Sequence, residues 1–130
     1  PDLSRFRKRG GKLIMTYGWA DPVLQPLVGV NYYEQAIARN GPDTPQFFRL
    51  FMVPGMGHCA GGVGTDRFDA VTALVEWVEK GKAPDSIRAA RVVKGQEVRS
   101  RPLCAYPQVA RYSGQGSTDQ AANFRCVSPD

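Results

Sequence analysis

At 130 residues the chain is long enough for one domain with its own hydrophobic core, and 42% hydrophobic with 22% charged residues excludes an intrinsically disordered segment. No apolar run approaches the ~20 residues that a membrane span needs. The net charge of +5 invites a nucleic-acid reading, but the one tight basic cluster, Arg5, Arg7, Lys8, Arg9 and Lys12, reads as a solvated helix end, and the remaining cations are scattered among acids.

Pro1-Asp2-Leu3-Ser4 has neither an initiator Met nor the apolar stretch of a signal peptide, so the expectation is a piece of a longer protein. Leu3 to Arg9 reads as a short helix ending at Gly10-Gly11. Leu13-Ile14-Met15-Thr16-Tyr17 is too short for a helix and too uniformly apolar for a half-exposed strand, which predicts a buried parallel strand stopping at Gly18. Beyond Pro22 and Pro26, Leu27, Val30, Tyr33 and Ile37 recur at helical spacing, and Asn40-Gly41-Pro42 supplies the stop. A second buried run, Phe47 to Val53, ends at Pro54 and completes a βαβ unit. The glycine-rich loop Gly55 to Gly64 follows. Thr65 or Asp66 is then expected to cap a helix whose apolar face is Phe68, Val71, Leu74, Val75 and Val78 and which ends at Gly81. From Pro84 onward the pattern weakens: Ile87 to Lys94 reads as an edge strand and the remainder as mostly loop.

Two side chains stand where an open α/β sheet gathers its functional groups, just past the carboxyl ends of parallel strands. Asp21 follows the first strand in Gly18-Trp19-Ala20-Asp21-Pro22, and His58, the only histidine, follows the second in Gly55-Met56-Gly57-His58-Cys59. If the strands are neighbours, both emerge on one edge, where an Asp accepting from one ring nitrogen leaves the other basic and aimed. The plainer alternatives stay open at this point: Asp21 as a turn former and His58 as a loop residue.

Other chemistries fit poorly. Gly55-x-Gly57-x-x-Ala60 matches a dinucleotide fingerprint only formally, because more glycines follow where a helix has to begin. One His and dispersed cysteines provide no metal-ligand spacing, so no metal site is assigned. Adjacent Cys59 and His58 point apart too often to share a proton as a nucleophilic dyad. None of Ser4, Ser86, Ser100, Ser113, Ser117 and Ser128 sits in a G-x-S-x-G elbow. Of the three cysteines, Cys104 and Cys126 lie in a tail poor in apolar residues, where a disulfide would contribute most; two free thiols are the alternative. A bridge there would point to an extracellular or periplasmic location.

The stretches Gly11-Lys12-Leu13-Ile14, Gly18-Trp19-Ala20-Asp21-Pro22, Tyr32-Tyr33-Glu34 and Phe47 through Cys59 together resemble the C-terminal region of the tannase and feruloyl esterase family. The resemblance continues more loosely into the Cys104 and Cys126 tail. It implies an α/β class, the C-terminal part of an α/β-hydrolase fold, with a short parallel sheet, flanking helices and a loop-rich tail. Residues 1–130 would form a single segment of the catalytic domain, with the nucleophile elbow and lid domain upstream.

The implied activity is hydrolysis of aromatic carboxylic esters through a serine acyl-enzyme, with Asp21 as triad acid and His58 as general base. Cys59 would pair with a cysteine beside the upstream Ser, and Cys104 with Cys126. Val23 and Leu24, just beyond Asp21, are candidates for the acyl pocket. The resemblance implies no cofactor in this segment, and calcium, where bound, belongs to the lid. Expected partners are the ester substrate and the upstream part of the same enzyme, with no nucleic acid and no membrane. Without the Ser the segment is expected to be inactive alone, and with an apolar edge exposed it is expected to be marginally stable or to self-associate. The alternative is a non-enzymatic binding module on a degenerate hydrolase scaffold.

Overall fold

The computed structural model describes residues 1–129. Its organising feature is a two-stranded parallel ladder between β1 (Leu13–Gly18) and β2 (Phe48–Val53), running in register from Leu13 opposite Phe48 to Gly18 opposite Val53. Between them, α2 (Pro26–Asn40) makes the crossover, and α1 (Ser4–Lys8) precedes β1. Pro26 opens α2 at its first position, where a missing N–H costs nothing, and Gly41 at φ 92° closes it. The expected βαβ elements are therefore present with nearly the expected limits.

β2 has both faces covered, which is why its sequence lacks polar alternation. Phe48, Leu50 and Met52 pack with Val30, Tyr33 and Ala36 of α2, Tyr33 meeting Phe48 edge to face at 4.9 Å between ring centroids. Phe51 and Val53 point the other way, into a cluster with Met56, Ile87, Ala89 and Leu103. β1 departs from expectation: its residues are half-buried except for Gly18, because β2 is its one partner strand among the described residues.

The region after the loop corrects three expectations. Asp69, not Thr65 or Asp66, caps α3 (Ala70–Lys80), accepting the Thr72 N–H at 2.8 Å, while Phe68 belongs to a two-residue strand, β3 (Arg67–Phe68). On α3 the buried residue is Trp77, flanked by the cations of Lys12 and Arg49, whereas Val71, Val75 and Val78 face outward. The helical spacing was read correctly, but the face that packs is the one carrying Trp77.

The tail is loop-rich beyond Cys104 but holds more strand than expected. β4 (Ser86–Val93) is the centre, not the edge, of an antiparallel sheet ordered β3-β4-β5, with β5 at Gln96–Cys104, and β6 (Val109–Tyr112) pairs antiparallel with β7 (Phe124–Val127). The first four residues of β5, Gln96 to Arg99, are exposed and polar or charged apart from Val98, so this half of the strand joins the ladder without producing an apolar signal. Cys104 and Cys126 form a disulfide, Cα atoms 5.5 Å apart, that joins the two antiparallel sheets.

Candidate active site at the ends of the parallel strands

Because β1 and β2 are parallel and end together at Gly18 and Val53, the segments leaving them emerge side by side. The Trp19 N–H donates to Val53 O at 3.0 Å and the Ala20 N–H to Met56 O at 3.0 Å, tying the first loop to the second. Gly18 is needed at this crossing, since a Cβ there would overlap the carbonyl oxygens of Met56 and Gly57.

The consequence is the contact that the sequence left conditional. Asp21 Oδ2 and His58 Nδ1 lie 2.8 Å apart, and with its proton on Nδ1 the imidazole donates to the carboxylate. The other carboxylate oxygen, Oδ1, accepts the amide N–H groups of Val23 at 2.8 Å and Leu24 at 3.0 Å. The Asp21 side chain is 4% exposed and that of His58 46%. Burial by itself would raise the Asp21 pKa. The Leu24 amide, the His58 ring and the Val23 amide outweigh it and hold the carboxyl below the ordinary value. Asp21 is thus an ionised carboxylate held by three hydrogen bonds, and His58 a half-exposed imidazole resting on it.

A cavity of about 250 Å³ opens beside the pair, lined by Thr16, Tyr17, Gly18, Asp21, Leu24, Met56, His58 and Cys59. Leu24 lines this cavity. Val23 does not line the cavity: its side chain is exposed to 70%, and its contribution is the backbone amide. Cys59 borders the cavity with a free, exposed thiol. It holds φ 62°, and the Ala60 N–H donates to His58 O at 2.8 Å, closing a three-residue γ-turn around it. Left-handed backbone at a non-glycine residue costs about 1–3 kcal/mol and persists only where its surroundings enforce it.

A family model described as tannase and feruloyl esterase matches residues 1–127. The chain belongs to the tannase and feruloyl esterase family. It is 50% identical over 131 residues to mono(2-hydroxyethyl) terephthalate hydrolase of Piscinibacter sakaiensis, covering 98% of this chain and 22% of that protein. A probable feruloyl esterase of Arthroderma benhamiae is 39% identical over 133 residues, covering 98% and 25%. The crystal structure of an esterase from Aspergillus oryzae superposes with a TM-score of 0.88 at 32% identity, over 97% of this chain and 29% of that one. The chain thus spans about a quarter of the length of the family members it matches.

Within this tannase and feruloyl esterase segment, sequence reasoning missed Tyr17. Its hydroxyl is buried with no hydrogen-bond partner among the described residues, and its pKa is raised by burial first and then by the charges of Asp21 and Cys59. The alternation of β1 puts Tyr17 on the same face as Leu13 and Met15, packed against α2, and that period could have suggested the placement. None of the chain's serines lines the cavity. Among the described residues no group of three or more His, Cys, Asp or Glu stands close enough to hold a metal ion.

Proposed function

We propose that this chain is the C-terminal part of an α/β-hydrolase catalytic domain and supplies the acid–base half of a serine ester hydrolase. His58 is the general base, Asp21 orients it, and the nucleophilic Ser, oxyanion donors and lid lie in sequence outside these residues. The observation that carries this reading is the 2.8 Å bond between His58 Nδ1 and a buried Asp21 carboxylate at the carboxyl edge of a parallel ladder. The order Asp then His along the chain agrees with the Ser, Asp, His order of that fold.

In the proposed reaction the bond to Asp21 keeps the Nδ1 proton in place, so Nε2 is the nitrogen free to accept a proton. Nε2 takes the Ser proton as Oγ attacks the ester carbonyl, then gives it to the departing alkoxide as the carbonyl re-forms, leaving an acyl-enzyme and free alcohol. A water follows the same route: His58 takes its proton, hydroxide adds to the acyl carbon, and Ser leaves with that proton to release the acid. Asp21 stays ionised throughout and stabilises the transient imidazolium.

The substrate is an ester of an aromatic acid, in keeping with relatives named for a terephthalate monoester and for feruloyl esters, and with the apolar wall that Leu24 and Met56 give the cavity. Cys59 pairs with a cysteine beside the upstream Ser, which would hold His58 close to its nucleophile. Among the described residues no group of three or more carboxylates stands together to hold calcium, and in this reading any calcium lies in the lid and takes no part in the steps above. The Cys104–Cys126 disulfide favours an oxidising, extracellular or periplasmic setting.

Hydrolysis of an aromatic methyl ester by three proteins tests the reading: this chain, the full-length gene product, and its His58→Ala variant. The expected outcome is activity in the full-length protein alone, with kcat lowered on the order of 10⁴-fold or more by His58→Ala. Activity that survives His58→Ala would sink the assignment of His58. Silence of the full-length protein towards every aromatic ester would favour a binding module on a hydrolase scaffold.

A further inference from the structure

The strained turn at Cys59 raises the question of what enforces it. His58 is carried by the long connection between β2 and β3, and glycine supplies Gly55, Gly57, Gly61, Gly62 and Gly64 of it. Backbone bonds join its arms, Gly57 N–H to Gly61 O at 3.2 Å and Gly64 N–H to Gly55 O at 3.0 Å. So many glycines make the unfastened loop conformationally broad, and besides these bonds and the isolated bridge between Met56 and Gly62, side chains hold its outer arm, Gly61-Gly62.

Two side chains from outside the turn do this. Asp66 Oδ2 accepts the Gly61 N–H at 2.8 Å, and Arg91 Nη1 donates to Gly62 O at 2.9 Å. Asp66 is only 14% exposed at its side chain, so the carboxylate is committed to this amide and to Arg67, whose Nε lies 3.9 Å away. Arg91 sits in β4 where the register against β5 shifts, between Arg91 and Val92. Such an irregularity re-aims a side chain out of the regular pleat. β3 pairs Arg67 with Ala90, which sets Asp66 and Arg91 at neighbouring positions on the sheet. A carboxylate and a guanidinium thus grip adjacent peptide groups of one arm, one accepting and one donating.

We infer that Asp66 and Arg91 are positioning residues for His58, fastening the His58 loop to the antiparallel sheet so that the turn at Cys59 aims the imidazole at Asp21. Neither touches Asp21, His58 or the cavity; they act through the peptide groups of Gly61 and Gly62. The role rests on His58 being the general base, and it assigns the β3-β4-β5 sheet a part in catalysis although none of its residues lines the cavity. An imidazole released from this fastening still meets Asp21 for part of the time, so substrate binding is retained while the fraction of competent molecules drops.

The test compares Asp66→Ala, Asp66→Asn, Arg91→Ala and His58→Ala in the full-length gene product, with an aromatic methyl ester as the probe. Asp66→Ala and Arg91→Ala are expected to lower kcat by ~10- to 100-fold with KM within about twofold of the parent. Asp66→Asn keeps an oxygen for the Gly61 N–H and is expected to recover most of the loss. Amide hydrogen exchange of the peptide carrying Gly61, followed by mass spectrometry of the full-length gene product, should accelerate in Asp66→Ala and return in Asp66→Asn. Parental kcat in both alanine variants, with His58→Ala inactive, would overturn the inference and leave the proposed function standing. Activity in His58→Ala would instead remove the proposed function itself. Should Asp66→Ala fail to fold, Arg91→Ala decides alone, since its one bond to the loop is at the exposed surface: unchanged kcat there overturns the role.

Discussion

At Gly18 the absence of a side chain lets the end of β1 lie against the Met56 and Gly57 carbonyls, where the Asp21 and His58 loops cross. Gly18→Ala is therefore expected to push the Asp21 and His58 loops apart and to lower kcat of the full-length protein by roughly 100-fold, the scale of a misplacement near 1 Å. Far-ultraviolet circular dichroism should show the fold retained, since the overlap is confined to the loop end. Asp21 also carries a pH signature. Its folded pKa lies below the unfolded one, so its contribution to stability is complete above the unfolded value of ~3.9 and is lost as pH falls through the folded value. Urea denaturation of this chain between about pH 2 and pH 6 should give a shallower acid decline for Asp21→Asn than for the parent; identical acid limbs would contradict a depressed Asp21. At this scale Asp21 and His58 were legible, because a residue just past a strand end keeps that position whatever else the chain does. Asp66 was not: its sequence neighbourhood reads as a helix cap, and only the fold shows its carboxylate turned back to Gly61.

Among the elements, β1, α2 and β2 follow from local pattern because each buries a contiguous run or a helical face of its own. The tail does not. β6 and β7 have four residues each and are mostly exposed or half-buried, so their pairing has little apolar burial behind it. A two-stranded ribbon of that kind is marginal without a further constraint. The Cys104–Cys126 bridge, closing a sequence separation of 22, provides one. Replacing both cysteines by Ser is expected to lower the unfolding free energy by about 3 kcal/mol in denaturant melts. A loss confined to a few tenths of a kcal/mol would mean that the ladder holds without it. The misjudged face of α3 has the same origin: valine and tryptophan stripes both have helical period, and which one turns inward depends on Lys12 and Arg49, which flank Trp77 from distant parts of the chain.

For the molecule as a whole, β2 is the shared wall of two apolar clusters, with Leu50 buried on one side and Phe51 on the other. The two halves should therefore unfold together. Leu50→Ala and Phe51→Ala are each expected to cost about 3–5 kcal/mol, and fluorescence and circular dichroism should report a single coincident transition. Separate transitions would mean that the clusters are independent. The amino-acid sequence by itself determined the parallel ladder, its crossover helix and the placement of Asp21 and His58 at one edge, because these depend on short-range periodicity and on glycine and proline stops. Only the tertiary structure decided that the polar tail becomes sheet, that Trp77 and not the valine stripe is buried, and that Asp66 and Arg91 hold the His58 loop. Those outcomes depend on hydrogen bonds and packing between residues far apart in the chain, where a strand of charged residues and a loop look alike until a partner is in place.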